Sequence, residues 1–304
     1  MRTALVRFMF GVVLAGMASA TAHAQAPVAD SICPMDAHLE FHQCALQAAS
    51  KFKPQALVAG KPDMSGVWRR RAAAHEDIQA HPRTADDRGG PSIIVEPADG
   101  LIPYQPWVLS RLADNVKRYM HHNAACLVSG VPAGMYQGNL YQLVQTPQRM
   151  VILSQEVHAW RHIPLDGTPF LNPAIRLWRG DSRGTWDDNS LVIETRNQTG
   201  FQWLDQRGRF LTSDVLVEER LTMIDLNTIH YTATIQDTNV LTRPFTIAMA
   251  LRRDTGADTE IWEEACHESN QLVMSQLLGL GYRLFQGVSP EDARAAAGES
   301  NLRR

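Results

Sequence analysis

The sequence predicts a mainly β protein whose strands close into an antiparallel up-and-down β-barrel with flanking helices. Two observations carry that prediction. Between Gln145 and Glu268, apolar and polar residues alternate through at least five segments, the period-2 pattern of half-buried antiparallel strands. Ile229, Tyr231, Ala233 and Ile235 alternate with His230, Thr232, Thr234 and Gln236, and Phe245, Ile247, Met249 and Leu251 alternate with Thr246, Ala248, Ala250 and Arg252. Between these segments, Asp166-Gly167, Asp187-Asp188-Asn189 and Asp225-Leu226-Asn227 supply hairpin turn chemistry, so strands that are neighbours in sequence become neighbours in space.

Taken in order, residues 1–24 place Arg2 and Arg7 ahead of an apolar run that ends in Ala22-His23-Ala24, the form of a cleaved secretory signal. Its apolar stretch is shorter than the ~20 residues a bilayer span requires. Export to a periplasm, or secretion, is the expected localisation, with no membrane span. Residues 25–61 form an N-terminal segment with a helix over Asp36–Ser50 and an extended stretch marked by Pro54, Gly60 and Pro62. The barrel domain is expected over 62–288, without an internal linker. Its first strand follows the turn Pro62-Asp63-Met64-Ser65-Gly66 and leads to Trp68 and the basic run Arg69-Arg70-Arg71, read as a solvated strand end.

Arg71–Gly100, rich in Pro, Asp and Gly, reads as a long irregular loop where a lid could sit. Pro106–His122 carries Val108, Leu112, Val116 and Tyr119 at helical spacing and reads as an amphipathic helix packed on the sheet. Strands are then expected at Asn139–Thr146, Met150–Ile163, Ala174–Trp178, Ser190–Thr195, Val215–Met223, Thr228–Asp237, Pro244–Arg252 and Glu260–Cys266. Gln271–Tyr282 reads as a closing helix, and residues 289–304 as a flexible, fraying tail.

Four cysteines in an exported chain imply two disulfides, and Cys33 with Cys44 plus Cys126 with Cys266 needs the least rearrangement of the expected elements. The competing reading is a zinc or copper site from Cys33, His38, His42 and Cys44. Helix geometry opposes it by pointing Cys44 away from the His38/His42 face, so no metal or other cofactor is expected. His121-His122 reads as a cationic pair at a helix C-terminus.

Chemistry is expected where polar groups share a strand face. On Met150–Ile163 one face presents Glu156, His158, Trp160 and His162; turned inward, it would bring a carboxylate, an imidazole and an indole into the barrel. His158 is the candidate general base, because imidazole titrates near neutral pH, with Glu156 to orient it. Arg161, Asp181 and His267 are the candidates for steadying a developing charge. Trp68, Trp160, Trp178, Trp186, Glu156 and Arg220 are expected to line or pair within a ligand cavity, with Arg220 matched to a carboxylate.

Several function classes are excluded. The chain lacks a Gly-x-Ser-x-Gly elbow, a GxGxxG or Walker loop, and a His-Glu-x-x-His helix. Loss of the signal removes two arginines and takes the net charge from −3 to −5, which leaves no electrostatic footprint for nucleic acid.

Pro62–Trp68, Gly100–Trp107, Val144–Ile163, Trp178–Asn197 with the LWRGDSRGTW core that begins at Leu177, Asp237–Met249, and Glu264–Asn270 with its CHESN together resemble a group of uncharacterised exported bacterial proteins. That resemblance implies kinship over roughly Pro62 to Asn270 and no particular reaction. Gly66-Val67-Trp68 is also similar to the glycine-x-tryptophan signature of lipocalins. This second resemblance implies a lipocalin-like barrel floored by Trp68, with a cavity for a small hydrophobic ligand. The expected function is therefore binding of a small, largely apolar organic molecule. The alternative is a cofactor-independent lyase, hydratase or isomerase with His158 as base.

Overall fold

The computed structural model describes residues 31–85, 88–256 and 259–302. The expected signal segment lies outside the described residues. Nine strands form the sheet's continuous path: β1 (Gly66–Arg71), β2 (Leu140–Thr146), β3 (Arg149–Ser154), β4 (Trp160–Pro164), β5 (Asp181–Asp187), β6 (Ser190–Arg196), β7 (Leu216–Asp225), β8 (Thr228–Gln236) and β9 (Phe245–Arg253). Their lateral order is β4-β3-β2-β1-β9-β8-β7-β6-β5, and every ladder along it is antiparallel. The result is a nearly closed antiparallel barrel, as expected.

The strand order leaves one seam of the barrel unladdered, between β4 and β5. Eight antiparallel steps lead from β4 to β5, so these two strands run in the same direction, and joining parallel neighbours takes a crossover from one end of the sheet to the other. Residues 165–180 make that crossover. Side chains close the seam: a Cβ on Gly184 would collide with Leu165 Cδ2 and lie 3.0 Å from Ile163 Cγ2.

Alternation places Tyr231, Ala233 and Ile235 of β8 and Phe245, Ile247, Met249 and Leu251 of β9 in the core, all fully or almost fully buried. His230 and Ala250 on the opposite face are buried as well, because helix α1 (His38–Ala49) lays Phe41 and Ala45 over Ile224 and Ala250. The Cys33–Cys44 disulfide fastens this helix to its leading segment. Trp68 is completely buried, its Nε1 donating to the Met64 carbonyl at 2.9 Å, and the Arg253 guanidinium lies 4.2 Å from its ring centroid. Gly66, at φ +131°, leaves room for that guanidinium, since a Cβ there would collide with Arg253 Nη1.

Several elements differ from expectation. Met150–Ile163 is not one strand: β3 and β4 are separated by a tight turn at 155–159. Ala174–Trp178 and Glu260–Cys266 form no strands, whereas β5 arises inside the glycine-containing Trp178–Trp186 stretch. Arg71–Gly100 is packed rather than lid-like, with Ile78 and Ile93 buried and a short strand at Ile94–Glu96 laddered to β9. Helix α2 (Pro106–Arg118) stops before the histidines, and Tyr119–Met120 pairs in parallel with Arg283–Leu284. Helix α3 (Cys266–Gly279) starts at the cysteine, and the expected frayed tail forms helix α4 (Pro290–Leu302), with Ala293 buried.

Candidate functional site

The barrel has two unlike ends. Pairs of residues, 147–148, 188–189 and 226–227, turn the chain at one of them. At the other, the connections 72–139, 197–215 and 237–244 build a thick cap, joined by the β3–β4 turn and the start of β5. Polar groups concentrate at this loop end and in the lumen beneath it.

The lumen is packed with side chains, as expected for a barrel of about this strand number. Aliphatic and aromatic groups dominate, and one ion pair sits among them. Arg161 of β4 donates from Nη1 to Glu219 Oε1 of β7 at 3.0 Å and from Nη2 to Glu219 Oε2. Arg161 also donates from Nε to Ser182 Oγ at 2.9 Å and from Nη2 to Thr195 Oγ1 at 2.6 Å, and Tyr231 OH donates to Glu219 Oε1 at 2.8 Å. Strands on both sides of the unladdered seam thereby share one network. Every polar atom of the pair is used, which makes Arg161 a structural clip rather than a group free to steady a developing charge.

Above this pair lies a second network. Glu156 Oε1 accepts from Asn123 Nδ2 at 2.9 Å and lies 2.6 Å from Ser129 Oγ. Ser129 Oγ is also 2.5 Å from Gln137 Oε1 and 3.2 Å from His122 Nε2. The Gln137 amide is oriented by its Nε2, which donates to the Leu204 carbonyl at 2.9 Å. One hydroxyl proton cannot serve two acceptor oxygens. Ser129 therefore donates to one of these oxygens at a time while His122 donates to it from Nε2, and a proton on Glu156 would complete the chain from Glu156 through Ser129 to Gln137. Burial acts in the same direction, raising the Glu156 carboxyl above its ordinary range.

The histidines of the cap are neutral rather than a cationic helix terminus, a correction to the sequence reading. Burial, then the neighbouring charge of His75, lowers His122 to about 3. His121 is held well below its ordinary value by burial, then by His122 and His75. The two rings stack at 3.9 Å between centroids. His121 Nδ1 accepts from the Asn123 amide at 3.3 Å, which puts the ring proton on Nε2.

His121 Nε2, His122 Nδ1, Trp203 Nε1, and Nε and Nη1 of Arg179 are buried atoms without a hydrogen-bond partner among the described residues. A small cleft of about 40 Å³ opens between Met120, His122, Leu127, Trp178, Phe201, Trp203 and the Leu284–Gln286 strap. Arg179 precedes β5 and reaches back over Gly134, where a Cβ would stand 2.6 Å from its Nη2 and 3.5 Å from the Ser129 carbonyl oxygen. Burial, then the charge of Arg161, lowers the Arg179 guanidinium to about 10, with Glu156 and Glu219 acting the other way.

Of the residues singled out from sequence, the structure brings Glu156 and Trp178 into this region. Trp178 Nε1 donates to the Val128 carbonyl at 2.6 Å, and its ring meets Phe201 edge-on at 6.5 Å. His158 does not face the lumen: it is exposed on the β3–β4 turn at φ +52°, and its Nε2 accepts from the Glu264 amide at 3.3 Å. The turn resets the alternation, so Arg161 and Ile163 point inward while Trp160, 65 % exposed, and His162 point outward. Asp181 is buried but engaged, ion-paired to Arg183 and accepting from the Leu171 amide at 2.7 Å, which ties down the crossover. Trp68 and the half-buried Trp186 belong to the core at the other end, Arg220 is paired with Asp187 at 2.7 Å, and His267 is exposed on α3. Cys33 and Cys44 are bonded to each other, so they are not the thiolates a metal site would use.

Sequence reasoning missed Ser129, Gln137, Arg179 and the cap role of His121 and His122. The available signal was the arginine inside the Trp178–Trp186 stretch, flanked by a tryptophan and a glycine. Comparison with known proteins finds no matching family model, no matching curated protein and no matching solved structure.

Proposed function

We propose that this protein binds a small organic molecule at the loop end of the barrel, in an oxidising compartment outside the cytoplasm. One observation carries the reading: buried, unpartnered polar atoms of His122 and Trp203 belong to the walls of an aromatic cleft, and those of His121 and Arg179 belong to residues adjoining these walls. Folded proteins satisfy nearly all their buried polar groups, and convergent unsatisfied ones beside apolar walls are typical of a recognition site. The side-chain-filled lumen argues against the barrel interior as the place for a largely apolar ligand. The cleft of about 40 Å³ is far below the several hundred Å³ of ordinary ligand pockets, so binding requires the Leu284–Gln286 strap to move outward. Two disulfides fit an oxidising compartment and the export reading, and no helix among the described residues is long and apolar enough to cross a membrane.

Mass spectrometry of the protein purified from its own host under gentle conditions tests this. A stoichiometric small molecule released on denaturation is the expected result. Protein that carries nothing, and whose Trp178 and Trp203 fluorescence answers no compound in a broad metabolite panel, overturns it.

A second reading, a cofactor-independent lyase, hydratase or isomerase, is favoured by Glu156. A carboxyl whose grip on its proton is raised by burial, beside a hydroxyl relay, is a proton carrier of the kind general acid–base chemistry uses, and it takes the place that the exposed His158 was expected to fill. Glu156→Gln would abolish turnover in that case, and retention of turnover on an identified substrate removes it.

A further inference from the structure

Resting on the binding reading above, we propose that the ligand carries a carboxylate and that Arg179 is its anchor. Near the lumen's own ion pair the charges already match: Arg161 and Glu219 satisfy one another. Arg179 adds a second guanidinium close enough to feel Arg161, and no ion pair forms between Arg179 and any described carboxylate. Glu156, whose charge Arg179 feels, is turned instead toward Asn123 and Ser129. Arg179 therefore has no counter-ion in direct contact, and its Nε and Nη1 are buried without a partner among the described residues. An isolated buried charge is costly unless a counter-charge meets it, and a guanidinium's planar array of N–H groups matches a carboxylate.

The other unpartnered groups fit the same chemistry. His121 Nε2 and Trp203 Nε1 both carry protons, so donors outnumber the single acceptor, His122 Nδ1, and an oxygen-rich anion is the complement. The cleft's walls of Trp178, Phe201, Trp203 and Phe285 suit a flat apolar remainder. Gly134 is part of the device, because any side chain there would push the Arg179 Nη2 edge aside. Together these features select an aromatic or unsaturated monocarboxylate over a neutral analogue.

The test compares benzoate with benzamide, which has the same ring and no charge, by titration calorimetry and tryptophan fluorescence on the full mature chain. Wild type is expected to prefer benzoate by at least about tenfold, the scale of one charge-assisted contact. Arg179→Gln is expected to erase the preference, and Arg179→Lys to keep part of it. Gly134→Ala, which leaves the guanidinium in the chain but displaces it, is expected to weaken benzoate binding selectively. Thermal unfolding of each variant at the wild-type temperature range confirms that the fold is retained. Equal binding of benzoate and benzamide by wild type, or an undiminished preference in a folded Arg179→Gln, overturns the carboxylate assignment while the binding reading stands. Failure of both probes to bind, in protein that also carries no co-purified molecule, overturns both.

Discussion

Arg161 and Glu219 meet across the barrel lumen as a bidentate pair, the arginine from β4 and the glutamate from β7, with both side chains sealed from solvent. β4 and β5 run parallel and share no ladder, so this pair and its contacts to Ser182 and Thr195 do across the seam what backbone hydrogen bonds do elsewhere.

Removing one member therefore strands the other. Arg161→Met is expected to cost about 3–5 kcal/mol in denaturant unfolding, and Glu219→Met a similar amount. The double variant is expected to be more stable than either single one, because no lone charge remains buried. A double variant as unstable as the sum of the two would show that the pair does not act as a unit.

His42 Nδ1 and His230 Nε2 stand 3.0 Å apart where α1 packs on the barrel. Burial, then the charge of His42, lowers His230 to about 3 from an ordinary value of 6.5. The folded state thus refuses a proton that the unfolded chain accepts, so this contribution to stability is complete above pH 6.5 and is lost as pH falls toward 3. Wild type minus His230→Phe, followed by thermal or urea unfolding, should decline by about 1 kcal/mol per pH unit between pH 6 and 4. A difference that stays flat over that range would show that His230 is not held neutral.

Glu156 has the opposite sign. Its raised value means that the folded state holds the proton more tightly, a contribution present below the ordinary carboxyl range and lost as pH rises through the folded value. Glu156→Gln keeps a neutral side chain and is expected to gain stability over wild type as pH increases from acid to neutral. A variant that instead loses stability at neutral pH would mean that Glu156 works there as a carboxylate.

The Cys126–Cys266 disulfide closes a sequence separation of 140 residues and sits two residues after Glu264, whose carboxylate accepts from the Val157 amide at 2.5 Å. That bond holds the β3–β4 turn, where Val157 and His158 both have positive φ. Replacing both cysteines with serine is expected to cost about 2–5 kcal/mol. Amide exchange should rise first at residues 155–159, and uniform destabilisation without local opening there would argue against the coupling.

How much of this was readable beforehand follows from the range of each interaction. Alternation depends on nearest neighbours, so β8 and β9, the hairpin turns before β6 and β8, and helix α1 could be placed from residue order alone. An even cysteine count, in a chain expected to be exported, pointed to two disulfides. The single strand expected at Met150–Ile163 failed because a tight turn there advances the alternation by an odd number of residues, which sends His158, Trp160 and His162 outward and Arg161 inward. The ends of α2 and α3 were misplaced because a parallel pairing and a disulfide, both long-range, set them.

By itself, the sequence determined the class of fold, its meander order and the number of cross-links, since each is written in local pattern or in residue counts. Only the tertiary structure decided which groups face one another at the loop end. Ser129, Glu156, Arg179 and Trp203 come from four separate connections, and their meeting depends on the parity of nine strands, the crossover that this parity demands and the small residues that let the side chains approach. Those are properties of the closed chain, and no short window of residues contains them.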